Sequence, residues 1–372
     1  MYPPGFNLLL AACRLSYGLS VADEAEEIIR GGGIDWDRLY RRADLHSVRP
    51  QLAQLVSILP QEAVPENFRV RINKAYLDTV HDQISYAAEF MNVKLMLERE
   101  GIMTVPFKGF RLAHDYYGDL GGREGGDIDL FTDFDKLERI RDLMFESGYV
   151  VERQMAGYSI NELARRAGEY NFDKFDGDKC LYHFEFHWRI SSPVYELGIG
   201  MEDLSSQVMP GTIQGKSLMR FTPSADMLLT VMHHGGKDPF SELKYVQDVA
   251  SIMRKHDEIN WEWVLSASRR FRMEKLIYVA AGLAHEIFSV PVPAALETSV
   301  SAPAVRRLTR NRLRFMAHSL EYWHPWIFIN DWIFRIRTRS GLRMKMQLAI
   351  YVARVLTRRF LPVGRLLSGK AS

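Results

Sequence analysis

The chain has 372 residues, of which 47% are hydrophobic and 25% are charged, so it can bury a large core. This composition excludes a disordered chain and a short peptide-like module. The formal net charge is only +2, but the charge is divided along the chain. From Arg306 onward there are fifteen Lys and Arg residues against Glu321 and Asp331, a net charge of +13, which leaves −11 for the preceding part. The sequence therefore combines an acidic body with a basic tail.

Cysteine usage and the N-terminus bear on the compartment. Cys13 and Cys180 form neither a disulfide framework nor a metal-binding CxxC pair, as is typical of a reducing cytosol. The N-terminus lacks a basic segment before its apolar residues, which argues against a signal peptide. Apolar runs are interrupted by Arg well before the roughly 20 residues that a spanning helix needs. We therefore expect a cytoplasmic protein, with peripheral attachment to the inner membrane face as a further hypothesis.

The first hundred residues show helical periodicity. Leu8, Leu9, Ala12 and Leu15 recur at helical spacing, and a long segment follows without internal Gly or Pro. Asp35 precedes a helical run as an N-cap, and Asn260 stands in the same position before a later run. We predict an N-terminal helical region over residues 1–100.

Between residues 101 and 192 short β-rich runs alternate with helical segments, which predicts an α+β core. The turn Asp176-Gly177-Asp178 indicates a hairpin. Strands are predicted at 102–107, 127–132, 170–175 and 180–190, and helices at 110–117 and 134–145.

From Pro193 onward the pattern predicts helices again. Thr222-Pro223 supplies an N-cap and first-turn proline for one helix, and residues 241–255 show a second amphipathic pattern. We predict a helical domain over 193–304 that closes a cleft, and a basic amphipathic helical tail over 305–372.

The sharpest chemical feature is Asp127-Ile128-Asp129, which follows a Gly-rich loop. On a strand both carboxylates share one face, and a divalent cation relieves their repulsion. The later strand places Glu185 between His183 and His187 on its polar face, so a metal shared by Asp127, Asp129 and Glu185 is one hypothesis. The alternatives are solvated aspartates at a strand edge, or zinc bound by the two histidines.

A second feature lies where the first predicted strand meets a helix. Lys108-Gly109 combines a compact positive charge with a glycine at a helix N-terminus, where backbone N–H groups bind anions. Arg123, four residues before Asp127, adds another cation. Together with the Asp-x-Asp motif, these residues predict a site for phosphates and a metal ion.

The order Lys108-Gly109, Arg123, Asp127-Ile128-Asp129 and Glu185-Phe186-His187-Trp188 resembles the uncharacterised nucleotidyltransferase family. The chain is more distantly similar to nucleotidyltransferase toxins of the AbiEii type. The resemblance covers most of residues 5–260, and it includes three further segments in the later helical part: His234-Gly235-Gly236-Lys237, Leu243-Lys244-Tyr245 and Asp248. The sequence departs from the superfamily pattern at Phe110, where a serine or glycine is frequent, and at Asp238, where the family often has histidine.

The resemblance implies a small mixed sheet with helices, flanked by helical regions, and transfer of a nucleoside monophosphate from an NTP to a hydroxyl acceptor. It implies that Asp127, Asp129 and Glu185 are catalytic and bind two Mg²⁺ ions, with Mn²⁺ as a substitute. The implied nucleotide-binding residues are Lys108, Gly109, Arg123, His187, Lys237, Lys244 and Asp248. The competing hypotheses are an i,i+4 surface pair for Lys244 and Asp248, a non-catalytic nucleotide-binding or scaffold protein, and kinase-like phosphoryl transfer.

The basic tail mixes tryptophans, aliphatic residues and arginines, as in Trp326-Ile327-Phe328 and Arg335-Ile336-Arg337. Three interpretations follow: packing of the tail on the acidic body, binding to an anionic membrane surface, and, with less support, binding to nucleic acid. A basic amphipathic helix is predicted near residues 344–361.

Overall fold

The computed structural model describes residues 2–195, 198–318, 325–342, 345–346, 348–350 and 352. In these ranges the chain has the predicted α+β architecture, in which helices flank a small mixed sheet.

The N-terminal region is helical, as predicted. Its helices are α1 (Pro4–Leu15), α2 (Ala22–Arg30), α3 (Trp36–Leu45), α4 (Arg49–Ile58) and α5 (Glu66–Arg99). Asp35 caps α3 by accepting a hydrogen bond from the backbone N–H of Arg38 at 2.9 Å, which confirms the predicted cap. Helix α5 has 34 residues, and Phe90 and Leu97 in its second half are buried in one cluster with residues of the sheet.

The central sheet has five strands in the order β1-β2-β5-β4-β3. These are β1 (Val105–Pro106), β2 (Ile128–Phe131), β3 (Val150–Val151), β4 (Glu169–Asp176) and β5 (Lys179–His187). Strands β2 and β5 are parallel, while β1, β4 and β3 join antiparallel to their neighbours. The predicted strand 102–107 is shortened to β1, although the backbone N–H of Phe107 still bonds to the carbonyl of Asp129 at 3.3 Å.

Helices cover one face of this sheet. The core segment contains α6 (Gly109–Leu112), α7 (Leu137–Glu146) and α8 (Ile160–Arg166). Ile128, Leu130, Phe184 and Phe186 are fully buried in one cluster with apolar residues of α5 and α7. The alternation of side chains along β2 and β5 therefore sends the polar residues of both strands to the opposite face.

The segment after Pro193 corrects one expectation, because it is not purely helical. After the short helix α9 (Met201–Leu204), strands β6 (Val208–Ile213) and β7 (Lys216–Phe221) form a separate antiparallel hairpin. Its two turn residues, Gln214 and Gly215, both have positive φ, at 48° and 76°. This turn geometry is the one that two-residue hairpins favour, and Gly215 adopts it without strain.

Helices then continue along the described chain. They are α10 (Pro223–Val231), α11 (Leu243–Met253), α12 (Trp261–Arg270), α13 (Glu274–Phe288), α14 (Glu297–Ser301), α15 (Pro303–His318) and α16 (Pro325–Thr338). The predicted caps are confirmed: Thr222 accepts from the N–H of Ala225 and Asn260 from that of Trp263. Most of the amphipathic helix predicted near residues 344–361 lies outside the described residues, and the four-domain division stays a prediction.

Candidate active site

The polar face of the sheet brings Asp129 and Glu185 side by side. Asp129 of β2 is the register partner of Glu185 of β5, so the two carboxylates project from neighbouring parallel strands. Their flanking residues Ile128 and Phe184 are buried on the other face. The sequence therefore predicted correctly that these two acidic side chains share one face.

Asp129 is held by two cationic groups that meet on one of its oxygens. The Lys108 ammonium lies 2.6 Å from Oδ1, and Nε2 of His187 lies 3.1 Å from the same atom. The second oxygen, Oδ2, is buried and has no hydrogen-bond partner within the described part of the chain. A buried carboxylate oxygen without a partner is costly, and a bound cation is a common reason for it.

Glu185 is held in place by the two histidines of its own strand. His187 Nε2 lies 3.1 Å from Oε2, and His183 Nε2 lies 3.4 Å from Oε1. Burial raises the pKa of Glu185, but the hydrogen bonds from His183 and His187 lower it well below its ordinary value. Burial also disfavours the charged form of His187, yet its bonds to Asp129 and Glu185 raise its pKa to about 9.

Asp127 lies one residue before β2 and is half-buried. Burial and the nearby charge of Asp129 raise the pKa of its carboxyl above the ordinary value, and the positive charge of Lys108 opposes this shift. Ligand atoms of Asp129, Glu185 and His187 lie within 4.8 Å of one another, whereas Asp127 is outside that group. Of the three predicted metal ligands, Asp129 and Glu185 thus meet on the polar face together with His187, whereas Asp127 lies outside this group.

The donor set fits a hard divalent cation. Carboxylate oxygens are the preferred ligands of Mg²⁺, and Asp129 Oδ2 is an oxygen that the protein leaves unpartnered. A second group, His233, His234 and Asp238, also has ligand atoms within 4.8 Å. Its imidazoles are already engaged, since His233 Nε2 lies 3.2 Å from the Lys108 ammonium and His234 is bonded in a network described below. We call the group of Asp129, Glu185 and His187 the carboxylate face; it contains the carboxylate oxygen that has no partner among the described residues.

Lys108 and Gly109 lie where the sequence placed them, between β1 and α6, but the lysine points inward. Its ammonium is bonded to Asp129 and only 6% of its side chain is exposed. Burial lowers the pKa of Lys108, but the charges of Asp129, Asp127 and Glu185 raise it above its ordinary value. Lys108 therefore neutralises the carboxylates directly, and its role toward the phosphates stays a prediction.

Gly109 is required by both conformation and space. Its φ is +54°, and a Cβ atom at this position would lie 3.1 Å from the carbonyl oxygen of Asp127. The backbone of the first helical turn thus packs against the Asp-x-Asp segment, and a side chain here would displace Asp127.

We expect Gly109→Ala to lower the free energy of unfolding by about 1 to 2 kcal/mol, because an L-residue is strained at this φ. It should also lower catalytic activity by shifting Asp127. Gly101→Ala is the matched control: Gly101 has φ +67° but open space around it. Urea unfolding and kcat/KM measured on both variants should show similar stability losses but reduced activity for Gly109→Ala alone. Equal activity in the two variants would contradict the contact between Gly109 and Asp127.

Arg123 and Asp248 form a buried ion pair. The guanidinium donates from Nε to Oδ1 at 2.8 Å and from Nη2 to Oδ2 at 2.9 Å. Asp248 also accepts from Tyr117 at 2.6 Å and bonds to His234 Nε2 at 2.8 Å. Burial raises the pKa of Asp248, but the Arg123 charge and the His234 bond hold it well below its ordinary value. Burial lowers the pKa of His234 to about 4.

This network changes the expectations for both residues. Arg123 and Asp248 are 4% and 0% exposed, so Asp248 is not part of an i,i+4 surface pair with Lys244. The sequence did not single out Tyr117, whose hydroxyl bonds to Asp248 131 positions away in the chain. The pair ties the Gly-rich loop before β2 to helix α11 and so fixes the approach of the Asp-x-Asp segment.

Lys237 and Lys244 are the predicted cations that remain partly exposed. Their side chains are 26% and 18% exposed. Their closest carboxylates among the described residues are distant: Lys237 lies 3.6 Å from Glu169 and Lys244 lies 3.9 Å from Glu242. Burial and Asp129 raise the pKa of Asp127, and the charge of Lys244 opposes this rise, so Lys244 lies within electrostatic reach of the carboxylate face. The role of both lysines in nucleotide binding stays a prediction.

Comparison with known proteins identifies the family. The family model for uncharacterised nucleotidyltransferases matches residues 32–289, more than two thirds of the chain. The matched range includes every candidate site residue from Lys108 to Asp248 and ends before α15. A search of curated proteins found no match.

Proposed function

The chain belongs to the uncharacterised nucleotidyltransferase family, and we propose that it transfers a nucleoside monophosphate from an NTP to a hydroxyl acceptor, with release of pyrophosphate. The observation that carries this proposal is the pairing of Asp129 and Glu185 in register, with Asp127 at the edge and one oxygen of Asp129 unpartnered. A scaffold protein has no need of such an arrangement, because clustered buried acids destabilise a fold.

In this proposal Asp127 and Asp129 would hold two ions of Mg²⁺ or Mn²⁺, and Glu185 would be a further ligand of one of them or the base toward the acceptor hydroxyl. A divalent ion bound here would supply positive charge to the reacting phosphoryl oxygens and lower the pKa of a bound hydroxyl. His187 orients both acids, since its Nε2 lies 3.1 Å from an oxygen of each. Lys108 also helps to fix the position of Asp129, since its ammonium lies 2.6 Å from Oδ1.

The triphosphate is assigned to the partly exposed cations. Lys237 and Lys244 are available to neutralise negative charge as pyrophosphate leaves, whereas Arg123 is committed to Asp248. Gly109 allows close approach of the backbone at the start of α6. Phe110, where a hydroxyl-bearing residue is frequent in the superfamily, packs in the core against Phe90 with ring centroids 5.1 Å apart.

A labelling experiment tests the reaction class. Each of the four NTPs, labelled either at the α- or at the γ-phosphate, is incubated with Mg²⁺, the protein and a panel of hydroxyl acceptors: a hexose, a ribonucleoside and a peptide containing Ser, Thr and Tyr. We expect α-label to enter one acceptor, with equimolar pyrophosphate and a mass gain of one nucleoside monophosphate. Intact-mass measurement of the protein covers self-modification.

Two outcomes would contradict the proposal. Transfer of the γ-label with a mass gain of a single phosphate would indicate kinase-like chemistry. Absence of any product, together with no thermal stabilisation of the protein by any NTP with Mg²⁺, would indicate that the family fold is retained without the activity.

A further inference from the structure

Helices α15 and α16 lie outside the matched family region and form an antiparallel pair. Phe315 stacks on Trp326 with ring centroids 5.8 Å apart, and Arg312 bonds to Asp331 at 2.8 Å. The later residue of α15 thus contacts the earlier residue of α16, as in antiparallel helices. Both helices pack against α13 on their inner side. The exposed faces of the two helices therefore adjoin on the outer side of the pair.

The inward-facing arginines of this pair are bonded to the protein. Arg312 is 1% exposed and pairs with Asp331. Arg335 donates to the backbone carbonyls of Gly236 and Lys237, and Arg339 to that of Tyr195 at 2.8 Å. The first of the three interpretations of the sequence, packing of the tail on the body, thus describes these three arginines. Their bonds to the body go to backbone carbonyls.

The outward-facing arginines differ. Arg307, Arg310 and Arg314 are exposed and follow one another at spacings of three and four, so they share one side of α15. Within the described residues none of the three has a carboxylate within 4.0 Å, whereas Arg312 on the opposite side does. This side of α15 therefore carries a row of positive charge without an ion pair in the described part of the chain. The one acid it influences there is Glu286 of α13: burial raises the pKa of Glu286, and the charge of Arg310 lowers it.

The adjoining side of α16 is apolar. Trp326, Ile329 and Ile333 are 54%, 41% and 41% exposed, and their i, i+3, i+7 spacing aligns them in one stripe. Leu342, Met346 and Ile350 continue the apolar exposure at spacings of four, at 76%, 55% and 49%. We define the tail face as Arg307, Arg310, Arg314, Trp326, Ile329 and Ile333.

We propose that the tail face docks on the surface of a lipid bilayer that contains anionic headgroups. Arginines would meet the headgroups, while Trp326 and the two isoleucines would enter the interfacial layer beside them. Nucleic acid would satisfy the arginines but leave the aliphatic stripe exposed to water, so it accounts for only half of the surface. None of the helices in the described ranges is long and apolar enough to cross a membrane.

Vesicle flotation tests this proposal with the full chain. We expect the protein to bind vesicles of phosphatidylcholine with 30% phosphatidylglycerol, and to bind pure phosphatidylcholine vesicles about tenfold or more weakly. The variant Arg310→Gln/Arg314→Gln/Ile329→Ser/Ile333→Ser should reduce partitioning to the anionic vesicles by about tenfold or more. A charge-only variant, Arg307→Gln/Arg310→Gln/Arg314→Gln, should show a similar loss of binding to the anionic vesicles. At high salt, which screens the charge attraction, its binding should no longer differ from that of wild type.

The matched control changes two aliphatic side chains and two arginines at exposed positions outside the tail face. Val70→Ser/Leu77→Ser/Arg99→Gln/Arg153→Gln changes two exposed aliphatic residues, at 61% and 63% exposure, and two exposed arginines. It should bind like wild type, and thermal unfolding should show that all variants are folded. Equal binding of the tail-face and control variants would overturn the proposal, as would the absence of wild-type flotation. Binding of a fluorescent single-stranded RNA through the three arginines without vesicle binding would also overturn it, in favour of nucleic acid.

Discussion

Replacement of both aspartates in Asp127→Asn/Asp129→Asn is expected to lower kcat/KM for nucleotidyl transfer by about 10³-fold or more. The substitution keeps side-chain volume and removes the two negative charges that would hold a divalent cation. It also replaces Asp129 Oδ2, the buried oxygen that has no partner in the described chain. The asparagine carbonyl can still accept from Lys108 and His187, so the local fold should persist. Steady-state assays over a range of Mg²⁺ concentrations measure the effect.

The chain contains a matched control for this experiment. Asp133 and Asp135 form a second Asp-x-Asp pattern a few residues later, at the exposed start of the turn before α7. Asp133 makes no side-chain cap, and within the described residues Asp135 pairs with its neighbour Lys136 alone, at the surface. Asp133→Asn/Asp135→Asn should retain wild-type activity and Mg²⁺ dependence. Loss of less than tenfold in the Asp127/Asp129 variant, or equal losses in the two, would contradict the assignment of the carboxylate face.

Local periodicity was sufficient to predict which side chains share the site face. The alternation in Ile128-Asp129-Leu130 and in Phe184-Glu185-Phe186 assigns each residue to a face independently of its neighbours. The caps at Asp35, Thr222 and Asn260 were likewise predictable, because capping depends on residues only three positions apart. These predictions needed no knowledge of how distant segments pair.

Register between strands was not predictable in the same way. Counting back from the turn at Gly177 pairs Glu169 with Phe186, but an irregularity between Lys174 and Phe175 shifts the ladder by one residue. Glu169 therefore faces His187, and its carboxylate lies 3.4 Å from Nδ1 of that histidine. Nothing local in the sequence marks this shift, so the role of Glu169 beside the site was missed.

The hairpin of β6 and β7 was missed for a different reason. Gln214-Gly215 is a turn signal between two segments of β-compatible residues, but the flanking alternation is weak and Pro210 lies inside the first strand. Proline is tolerated there because the hairpin has only two strands, so one side of each strand needs no partner. A weak turn signal next to strong helical patterns was therefore assigned to the helical part.

Asp248→Asn is expected to lower the free energy of unfolding by about 3 to 5 kcal/mol, the cost of leaving a buried charge without its partner. Arg123 is 4% exposed and directs two donors at this carboxylate, and His234 and Tyr117 bond to the same oxygens. Asparagine offers only one acceptor atom and no charge, so the guanidinium would stay buried without a counter-ion. Urea unfolding at neutral pH measures the loss.

Two comparisons separate this structural role from a direct grip on the NTP. In Arg123→Met/Asp248→Leu both charges are absent, so the loss of stability should be smaller than in Asp248→Asn alone. Arg269→Ala breaks an ion pair of equal length, 2.8 Å to Glu274, but Arg269 is 57% exposed, so the loss should be under about 1 kcal/mol. If Arg123 instead contacts phosphate, Arg123→Met should raise KM for the NTP with near wild-type stability. That pattern would contradict the structural role of the Arg123–Asp248 ion pair, because removing a residue that anchors the Asp-x-Asp loop to α11 should weaken the fold.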